Sequence, residues 1–288
     1  MRMKKFFSFV FVFFTIGCAF AQDDLLDQLN AEKSDVKDKE TTAFKGLQIC
    51  NIQSTKMTAK GEWYMIISHR FGDLTEGLDN FFGLDNALTK IGGIYGVTDW
   101  LSLGASRHTY NKIYEVTAKY KLADQLTNGF PVTIVGYNTM DINSALSTDL
   151  YPNLKSSNRL AYSSQLLASR KFSEALSLEV GGVYVHKNLF DDAQELKDQY
   201  LVAAGGRCKI SKRLSVNLDY AYKINQLENA PLYQNPLSVG LDIETGGHVF
   251  QMVFSNSQPM NDVAVFTNAT GKWNGGSLYF GFNMYRVF

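Results

Sequence analysis

The sequence is short of cysteine, and it has no hydrophobic run long enough to cross a bilayer as a helix. Three cysteines in 288 residues are too few and too far apart for a disulfide framework or a zinc motif. Beyond the N-terminus, no segment approaches the roughly 18 consecutive apolar residues of a transmembrane helix. We therefore exclude a disulfide-stapled domain, a zinc-binding module and a helical membrane protein.

The chain also lacks an excess of charge, with 28 basic and 28 acidic residues. Its N-terminus has the three parts of a secretory signal: basic residues within the first five positions, an apolar run over 6–16, and Ala-Phe-Ala at 19–21. We predict a signal peptide over 1–21. Its removal takes away three basic residues and no acidic one, which leaves a net charge of −3. This charge gives no electrostatic reason to bind nucleic acid.

Other interpretations of the N-terminal part stay open. A lipoprotein signal that ends at Cys18 is an alternative to cleavage after Ala21. Residues 22–46 mix acidic residues with lysines and continue no amphipathic stripe. We predict a flexible periplasmic leader there, with docking to a partner as the alternative. Residues 47–56 are a weak strand candidate, which we assign to a plug, an edge or the lip of a barrel.

From residue 62 onwards, apolar and polar residues alternate with the period of two that is typical of β-strands. The clearest run is 214–222, where every second residue is Leu, Val or Tyr. Each run has about the 9–11 residues that a tilted spanning strand needs. We predict 12 strands, near 62–71, 87–97, 100–108, 112–122, 130–141, 158–171, 176–187, 199–210, 213–224, 236–244, 248–257 and 277–288. The predicted fold is all-β, a closed antiparallel transmembrane β-barrel over residues 47–288.

Tight and long connections alternate between these strands. Three tight turns share one seven-residue sequence pattern, which we call the turn frame. It consists of an apolar residue, Ser or Thr, two positions of any residue type, Leu, Ser and an apolar residue. The three copies begin at Val97, Phe172 and Ile210. A Ser or Thr hydroxyl can cap such a turn, so that the returning strand resumes its alternation in register. With tight turns in the periplasm and long loops outside the cell, both chain ends lie in the periplasm, which requires an even strand number.

The last strand ends on an aromatic residue, Phe288. Such a strand resembles the C-terminal strand of bacterial outer-membrane barrels, where the terminal aromatic is part of the assembly signal. The resemblance implies that Phe288 is read by the barrel-assembly machinery. An edge strand of a soluble sandwich is the alternative for this stretch taken alone.

Aromatic residues collect at both ends of the apolar face. Near the predicted extracellular ends lie Tyr162, Tyr184, Tyr200 and Tyr222, and near the periplasmic ends lie Trp63, Tyr95, Tyr120, Phe172 and Phe288. Two such girdles mark the two interfaces of a membrane, and a soluble sandwich gives no reason for them. Arg107, Arg170 and Arg286 share this parity, but all three lie near strand ends, where they can reach headgroups.

The opposite parity carries charges of both signs and is predicted to face the lumen. We single out eight candidate lumen- or pore-lining residues: Arg70, Arg159, Arg207, Lys209, Asp219, Lys223, Asp242 and Glu244. Lys90, Glu115, Lys119 and Glu179 share the parity. These residues form either a charged passage or a salt-bridged filling. The strand number does not decide between a passage and a filling, because 8-strand barrels are filled, 16-strand barrels are open, and 12 lies between.

Other chemistry finds little support. The four histidines lie on different faces of their strands or at opposite ends of the barrel. They cannot converge on one ion, so we expect no metal site. The loop 72–86 repeats Gly-Leu-Asp-Asn without a calcium-loop spacing. Its Phe81-Phe82 pair is a plain surface feature, an inward constriction, or a contact for lipopolysaccharide or a partner.

No Gly-x-Ser-x-Gly is present, and Ser68 and His69 lie on opposite faces, so we expect neither an enzyme nor a cofactor.

Four motifs in order resemble an uncharacterised β-barrel family of Bacteroidota outer membranes. They are Ser-His-Arg-Phe-Gly at 68–72, Asp-Asn-Phe-Phe-Gly-Leu-Asp-Asn at 79–86, Asp-Ile-Glu-Thr-Gly-Gly-His-Val-Phe-Gln at 242–251, and Phe-Gly-Phe-Asn at 280–283 followed by Arg-Val-Phe. The resemblance covers roughly residues 44–288. It implies a barrel in the outer membrane of a Gram-negative bacterium. It implies no activity and no catalytic residues, because the function of that family is unknown.

These observations predict a porin-like passive channel for small polar solutes, motivated by the lumen charges. The alternative is a non-conducting barrel, structural or docking a periplasmic or cell-surface complex, which the long loops and the acidic leader motivate. The expected partners are outer-membrane lipid, the assembly machinery and, in the second case, a periplasmic or surface protein.

Overall fold

The computed structural model describes residues 39–227 and 232–288, which form twelve β-strands and one short α-helix. The predicted signal peptide, Cys18 and most of the predicted leader lie outside the described residues. The strands are β1 (Trp63–Asp73), β2 (Leu88–Gly96), β3 (Leu101–His108), β4 (Ile113–Ala123), β5 (Thr133–Asn143), β6 (Leu160–Lys171), β7 (Leu176–Lys187), β8 (Asp198–Lys209), β9 (Leu214–Lys223), β10 (Leu237–Thr245), β11 (His248–Ser255) and β12 (Tyr279–Val287).

The strands close into one antiparallel barrel, in which each strand pairs with its neighbour in the chain and β1 pairs with β12. Closure leaves no free sheet edge, which is what a lipid environment demands of a β-structure. All twelve predicted strands are confirmed, with boundaries within three residues of the prediction. Among the helices of the described residues, none is both long and apolar enough to cross a membrane.

The repeated turn frame has the predicted cap. Thr98 Oγ1 accepts the backbone N–H of Leu101 at 3.0 Å, and Ser173 Oγ accepts that of Leu176 at 3.1 Å. Ser211 Oγ accepts the backbone N–H of Arg213 at 3.4 Å. These turns lie at one end of the barrel, which we call the turn end, and the other end is the loop end.

The outer face carries both predicted aromatic girdles. Tyr200 and Tyr222 are exposed near the loop end, and Trp63, Phe172 and Phe288 are exposed near the turn end. The three outward arginines lie over aromatic rings at strand ends, Arg107 over Tyr114, Arg170 over Phe172 and Arg286 over Phe288. Cation–π contact therefore adds to the reach toward headgroups that the sequence predicts.

The loop after β1 runs as a 3-10 segment over Leu74–Asn86. Phe81 and Phe82 are 59% and 51% exposed, so the inward constriction considered for this pair is wrong. Gly83 explains part of the loop's path: it has φ of +90°, and a β-carbon there would meet the backbone of Gly72. The two phenylalanines remain at the surface of the loop end.

Two segments fill the lumen, and we call them the hairpin plug and the loop plug. The hairpin plug comprises residues 43–58, which run from the turn end into the barrel and back to β1. The loop plug comprises residues 256–272, which fold into the barrel from the loop end and contain α1 (Asp262–Thr267), a helix with every residue buried. Ala43 and Phe44 are already buried, so the predicted leader boundary at residue 46 moves back to Ala43. Of the three assignments for 47–56, the plug is correct.

Deleting Phe288 should strongly reduce the folded, membrane-inserted fraction of the protein. The Phe288 ring stacks on Trp63 at 4.5 Å between centroids, and its backbone N–H donates to Trp63 O at 3.0 Å, across the seam where β12 meets β1. The folded fraction is read from heat-modifiable migration in gels of membrane extracts. Tyr222→Ala, which removes an equally exposed aromatic ring at the other end, is the control. Equal folded fractions for the deletion and the control would contradict the assembly role.

Candidate functional site: the filled lumen

The hairpin plug consists of two antiparallel arms joined by a tight turn. Ile49 N–H donates to Ile52 O at 2.8 Å, and Ser54 N–H donates to Leu47 O at 3.0 Å. The four-residue tip, 49–52, therefore presents several backbone N–H and C=O groups that the turn itself does not pair. Buried in the barrel, these groups must find partners on the wall.

Asp219 on β9 is the main partner of the tip. Its Oδ2 accepts three consecutive backbone N–H groups, from Cys50 at 2.9 Å, Asn51 at 2.8 Å and Ile52 at 2.9 Å. Convergent backbone N–H groups form an anion-binding nest, and here the anion is a carboxylate of the wall, 1% exposed. The arrangement compensates the burial of one negative charge with three oriented dipoles.

Two glycines beside Asp219 make room for the tip. A β-carbon on Gly205 of β8 would lie 2.6 Å from Ile49 Cδ1, and one on Gly240 of β10 would lie 2.8 Å from Cys50 Sγ. Both distances are shorter than ordinary van der Waals contacts, so a side chain at either position would require Ile49 or Cys50 to shift. The wall therefore forms a socket shaped for the tip.

Polar side chains hold the rest of the tip. Arg70 Nη2 donates to Asn51 Oδ1 at 2.8 Å, and Asn51 Nδ2 donates to Ser255 Oγ at 2.8 Å. The tip carbonyls accept from wall amides: Ile49 O from Gln251 at 2.6 Å and Cys50 O from Asn283 at 2.9 Å. The tip is thus paired on both its donor and acceptor sides.

The arms of the hairpin are held by one buried cation and one buried acid. Lys119 Nζ donates to the carbonyls of Leu47, Ser54 and Lys56 at 3.3, 2.8 and 3.2 Å. Glu179 Oε2 accepts the backbone N–H of Thr55 at 2.9 Å. Lys119 and Glu179 are each 3% exposed, so both charges depend on the hairpin for hydrogen bonds.

The loop plug is anchored to a buried ion pair. Lys90 Nζ lies 3.0 Å from Glu115 Oε2, and the other oxygen of Glu115 accepts the backbone N–H of Asp262 at 2.9 Å. The Asp262 carboxylate in turn accepts from Gln165 at 3.0 Å. Nearer the loop end, Lys223 Nζ donates to Thr267 O at 3.4 Å.

The two plugs meet inside the barrel. Gln53 Nε2 of the hairpin donates to both oxygens of Asp262, at 3.3 and 3.2 Å. Ile52 joins Val263 and Phe266 in one apolar cluster that also includes wall residues of β7, β8 and β9. Beside the hairpin, between Leu47, Gln53 and Lys90, the remaining cavity measures about 20 Å³. That is roughly the space of one water molecule, so the two plugs close the barrel here.

Five of the eight predicted lumen residues are buried on the inner side: Arg70, Arg207, Asp219, Lys223 and Asp242. Glu244 lies 2.5 Å from Arg207 Nη2, and Asp242 accepts from Gln251 at 2.6 Å. Lys209 is half-buried near the turn end. Arg159 lies in a 3-10 turn at the loop end, one residue before β6 begins, and not within the predicted strand. Asp219 is held by the backbone of the hairpin tip.

The predicted set omitted several residues that hold the plugs. Lys119 and Glu179 show the correct parity in the sequence, and this signal could have included them. Asp262 could not be found by strand parity because it lies in a connection. The apolar run Val263 to Phe266 beside it does indicate a buried segment. Among the described residues, no group of three or more His, Cys, Asp or Glu side chains could hold a metal ion.

The closed twelve-strand sheet, the outward aromatic girdles and the polar inner wall define a membrane-bound β-barrel with a filled lumen. The chain belongs to the membrane bound beta barrel domain family DUF5777, whose model matches residues 44–288. The match begins one residue after the hairpin plug does, so it includes nearly all of the plug together with the barrel.

Solved porins are similar to this chain in structure. The KdgM porin, in a structure with disordered oligogalacturonate, is 10% identical with a TM-score of 0.50 and covers 78% of this chain and 99% of that one. The NanC porin is 10% identical, with a TM-score of 0.49 over 78% and 98% of the two chains. A mutant of the Rh. blastica porin is 12% identical, with a TM-score of 0.33 over 74% and 57%. At these identities the likeness concerns the fold alone. The search among curated proteins finds no match to this chain.

Proposed function

We propose that the protein is a porin-like transport barrel of the outer membrane, which passes small polar solutes and is closed at rest by its two plugs. The observation that carries the proposal is the socket for the hairpin tip, where Asp219 takes three backbone N–H groups of a segment that enters from the turn end. The segment is bound by hydrogen bonds that water can replace, which suits a part that withdraws.

The charge of the wall supports the same proposal. Lys119, Glu179 and Asp219 are ionisable, deeply buried and face the hairpin. Buried ionic groups add little stability over apolar residues of similar volume, so a permanent filling has no need of them. A wall that is covered by the hairpin in one state and hydrated in another does need polar groups, because a bare apolar wall would not hold a water-filled passage.

The attachment of the hairpin suggests how it could be moved. Residues before the plug are fixed at the turn end: Lys39 Nζ lies 2.6 Å from Asp124 Oδ2, and Glu40 N–H donates to Gln125 O at 3.0 Å. With the turn end in the periplasm, the predicted leader is in reach of a periplasmic protein. A pull on the leader would reach the hairpin once these two contacts at the turn end were broken. The other proposed partners are outer-membrane lipid and the assembly machinery.

One observation favours a second function, a non-conducting barrel that docks a periplasmic or surface complex. The apolar cluster of Ile52, Val263 and Phe266 joins both plugs to the wall, and opening would expose it to water. A packed apolar core resists displacement in a way that polar contacts do not. The two functions differ in whether removal of the hairpin uncovers a passage.

Planar-bilayer recordings distinguish them. We expect few or no conductance steps from the mature protein and frequent steps from a variant that also lacks residues 22–58, because the loop plug loses its contacts with Gln53 and Ile52. A variant lacking only 22–38 is the matched control and should stay closed. Silence from the hairpin-less variant, and from one in which 258–270 is also replaced by a short Gly-Ser linker, would reject transport and leave the docking barrel.

A further inference from the structure

A second cavity, of about 490 Å³, lies at the loop end above the loop plug. Its inner side is formed by Asn261 together with Val263 and Ala264 of α1. Its walls come from the connections that follow β3, β5, β7 and β9. The volume lies within the roughly 300–1,000 Å³ that is usual for small-molecule sites. The cavity is separate from the hairpin socket, which lies nearer the turn end.

The deepest polar groups of the cavity are acceptors that lack donors. Asn261 Nδ2 donates to Asp141 Oδ2 at 2.6 Å, and the two residues are 1% and 2% exposed. The second carboxylate oxygen of Asp141, Oδ1, and the amide oxygen of Asn261, Oδ1, have no hydrogen-bond partner. Buried acceptors without donors are costly, so a ligand that brings O–H groups to this floor would regain hydrogen bonds that the protein does not supply.

The walls offer donors and flat apolar faces. Arg159 Nη1 donates a hydrogen bond to Asn143 O at 3.2 Å, and the guanidinium has further N–H groups. Three tyrosines, Tyr110, Tyr151 and Tyr233, line the same space. Such rings pack against C–H faces while their hydroxyls remain available for hydrogen bonding.

The charges and the buried oxygens disfavour an anionic ligand, a metal ion and an apolar ligand. Lys187 is paired with Glu195 at 2.5 Å, and the other charged side chains of the lining are Arg159, Asp141 and Asp191. An anionic ligand would meet these acids, and a metal ion would need a group of ligands that the described residues do not provide. An apolar ligand would leave the floor oxygens unpaired.

We propose that this cavity binds a neutral polyhydroxylated solute of mono- or disaccharide size. Its hydroxyls donate to Asp141 and Asn261 and accept from Arg159, and its C–H face packs on the tyrosines. The binding site stands whether or not the barrel opens, because every residue that forms it is in place in the closed structure. If the barrel does conduct, the site lies at the mouth of the passage and selects what enters.

Isothermal titration of the purified full-length protein in detergent tests this proposal, with maltose, sucrose, trehalose and mannitol as probes and gluconate as the acidic counter-probe. At least one neutral probe should bind with saturation, and gluconate should bind at least about tenfold more weakly. Asp141→Asn and Tyr151→Ala should each weaken binding at least about fivefold. Phe82→Ala, an exposed loop-end residue outside the cavity, should leave it unchanged.

Three outcomes would overturn the proposal. One is the absence of saturable heat for all four neutral probes at about 50 mM. Another is tighter binding of gluconate than of the neutral probes, which would assign the cavity to anions. The third is binding that Tyr151→Ala and Asp141→Asn leave intact, which would place the ligand elsewhere. Tyr151 is a partly exposed wall residue, so its variant tests the site even if Asp141→Asn impairs folding. Silence in bilayers from the variant without the hairpin, and from the one that also lacks the loop plug, together with saturable binding would reject transport and keep the site.

Discussion

Asp219→Ala should free the hairpin plug and expose Cys50, which is fully buried in the closed barrel. The change removes the acceptor of three backbone N–H groups, each bonded at 2.8–2.9 Å, and leaves those donors inside the lumen without partners. A buried donor left without a partner costs about 1–3 kcal/mol, so the loss of this acceptor for three donors should raise the population of the open state by roughly two orders of magnitude or more.

The measurement is the rate at which Cys50 reacts with a water-soluble maleimide, together with conductance in planar bilayers. Both should rise in Asp219→Ala. Asp219→Asn keeps one acceptor oxygen and should show a smaller rise, and Cys50→Ser in the same background should remove the labelling that belongs to this position. An Asp219→Ala protein that labels no faster than the wild type would show that the carboxylate does not hold the hairpin.

Lys90→Met should produce a large loss of stability. Lys90 and Glu115 are 4% and 1% exposed, and the substitution leaves the Glu115 carboxylate buried without its cation. We expect the free energy of unfolding to fall by about 3–5 kcal/mol. The loss is measured by urea unfolding of the protein refolded into detergent or lipid, followed by tryptophan fluorescence.

A second substitution separates lost charge from lost packing. Adding Glu115→Gln removes the unpaired charge while its amide oxygen can still accept the Asp262 N–H, so the double variant should regain at least half of the loss. Lys155→Met, an exposed lysine of the loop end, should stay within about 0.5 kcal/mol of the wild type. A double variant as unstable as Lys90→Met alone would mean that the aliphatic part of Lys90, and not its charge, supports the barrel.

Much of the fold could be predicted from the sequence because a barrel strand repeats one local rule. Alternation places Leu214 and Asp219 on opposite faces regardless of distant contacts, and the Ser/Thr turn frame fixes register from within four residues. The same rule gave the correct face for Arg207 and Asp242. It also identified the outward arginines, whose aromatic partners lie two residues away or on the adjacent strand.

The filling of the lumen could not be predicted in the same way. Parity says that Asp219 points inward, but its partners are backbone N–H groups of residues 50–52, and these carry no sequence signature. Residues 47–56 are too short and too mixed to reveal that they enter the barrel, and the connection after β11 has the composition of a loop around a helix of six residues. Gly205 and Gly240 were the available hint, since glycine within a strand often marks a close approach of another segment.

A reversible disulfide gives the most direct test that the hairpin plug is the gate. A β-carbon at position 240 would lie 2.8 Å from Cys50 Sγ, and a disulfide places each Cβ roughly 3 Å from the partner sulfur, so Gly240→Cys should link the hairpin tip to β10. In bilayers, the protein with Asp219→Ala and Gly240→Cys should be silent when oxidised and should conduct after addition of dithiothreitol, whereas Asp219→Ala alone should conduct in both conditions. Equal conductance of the cross-linked and reduced double variant would contradict the account, because solute would then pass with the hairpin fixed in its socket.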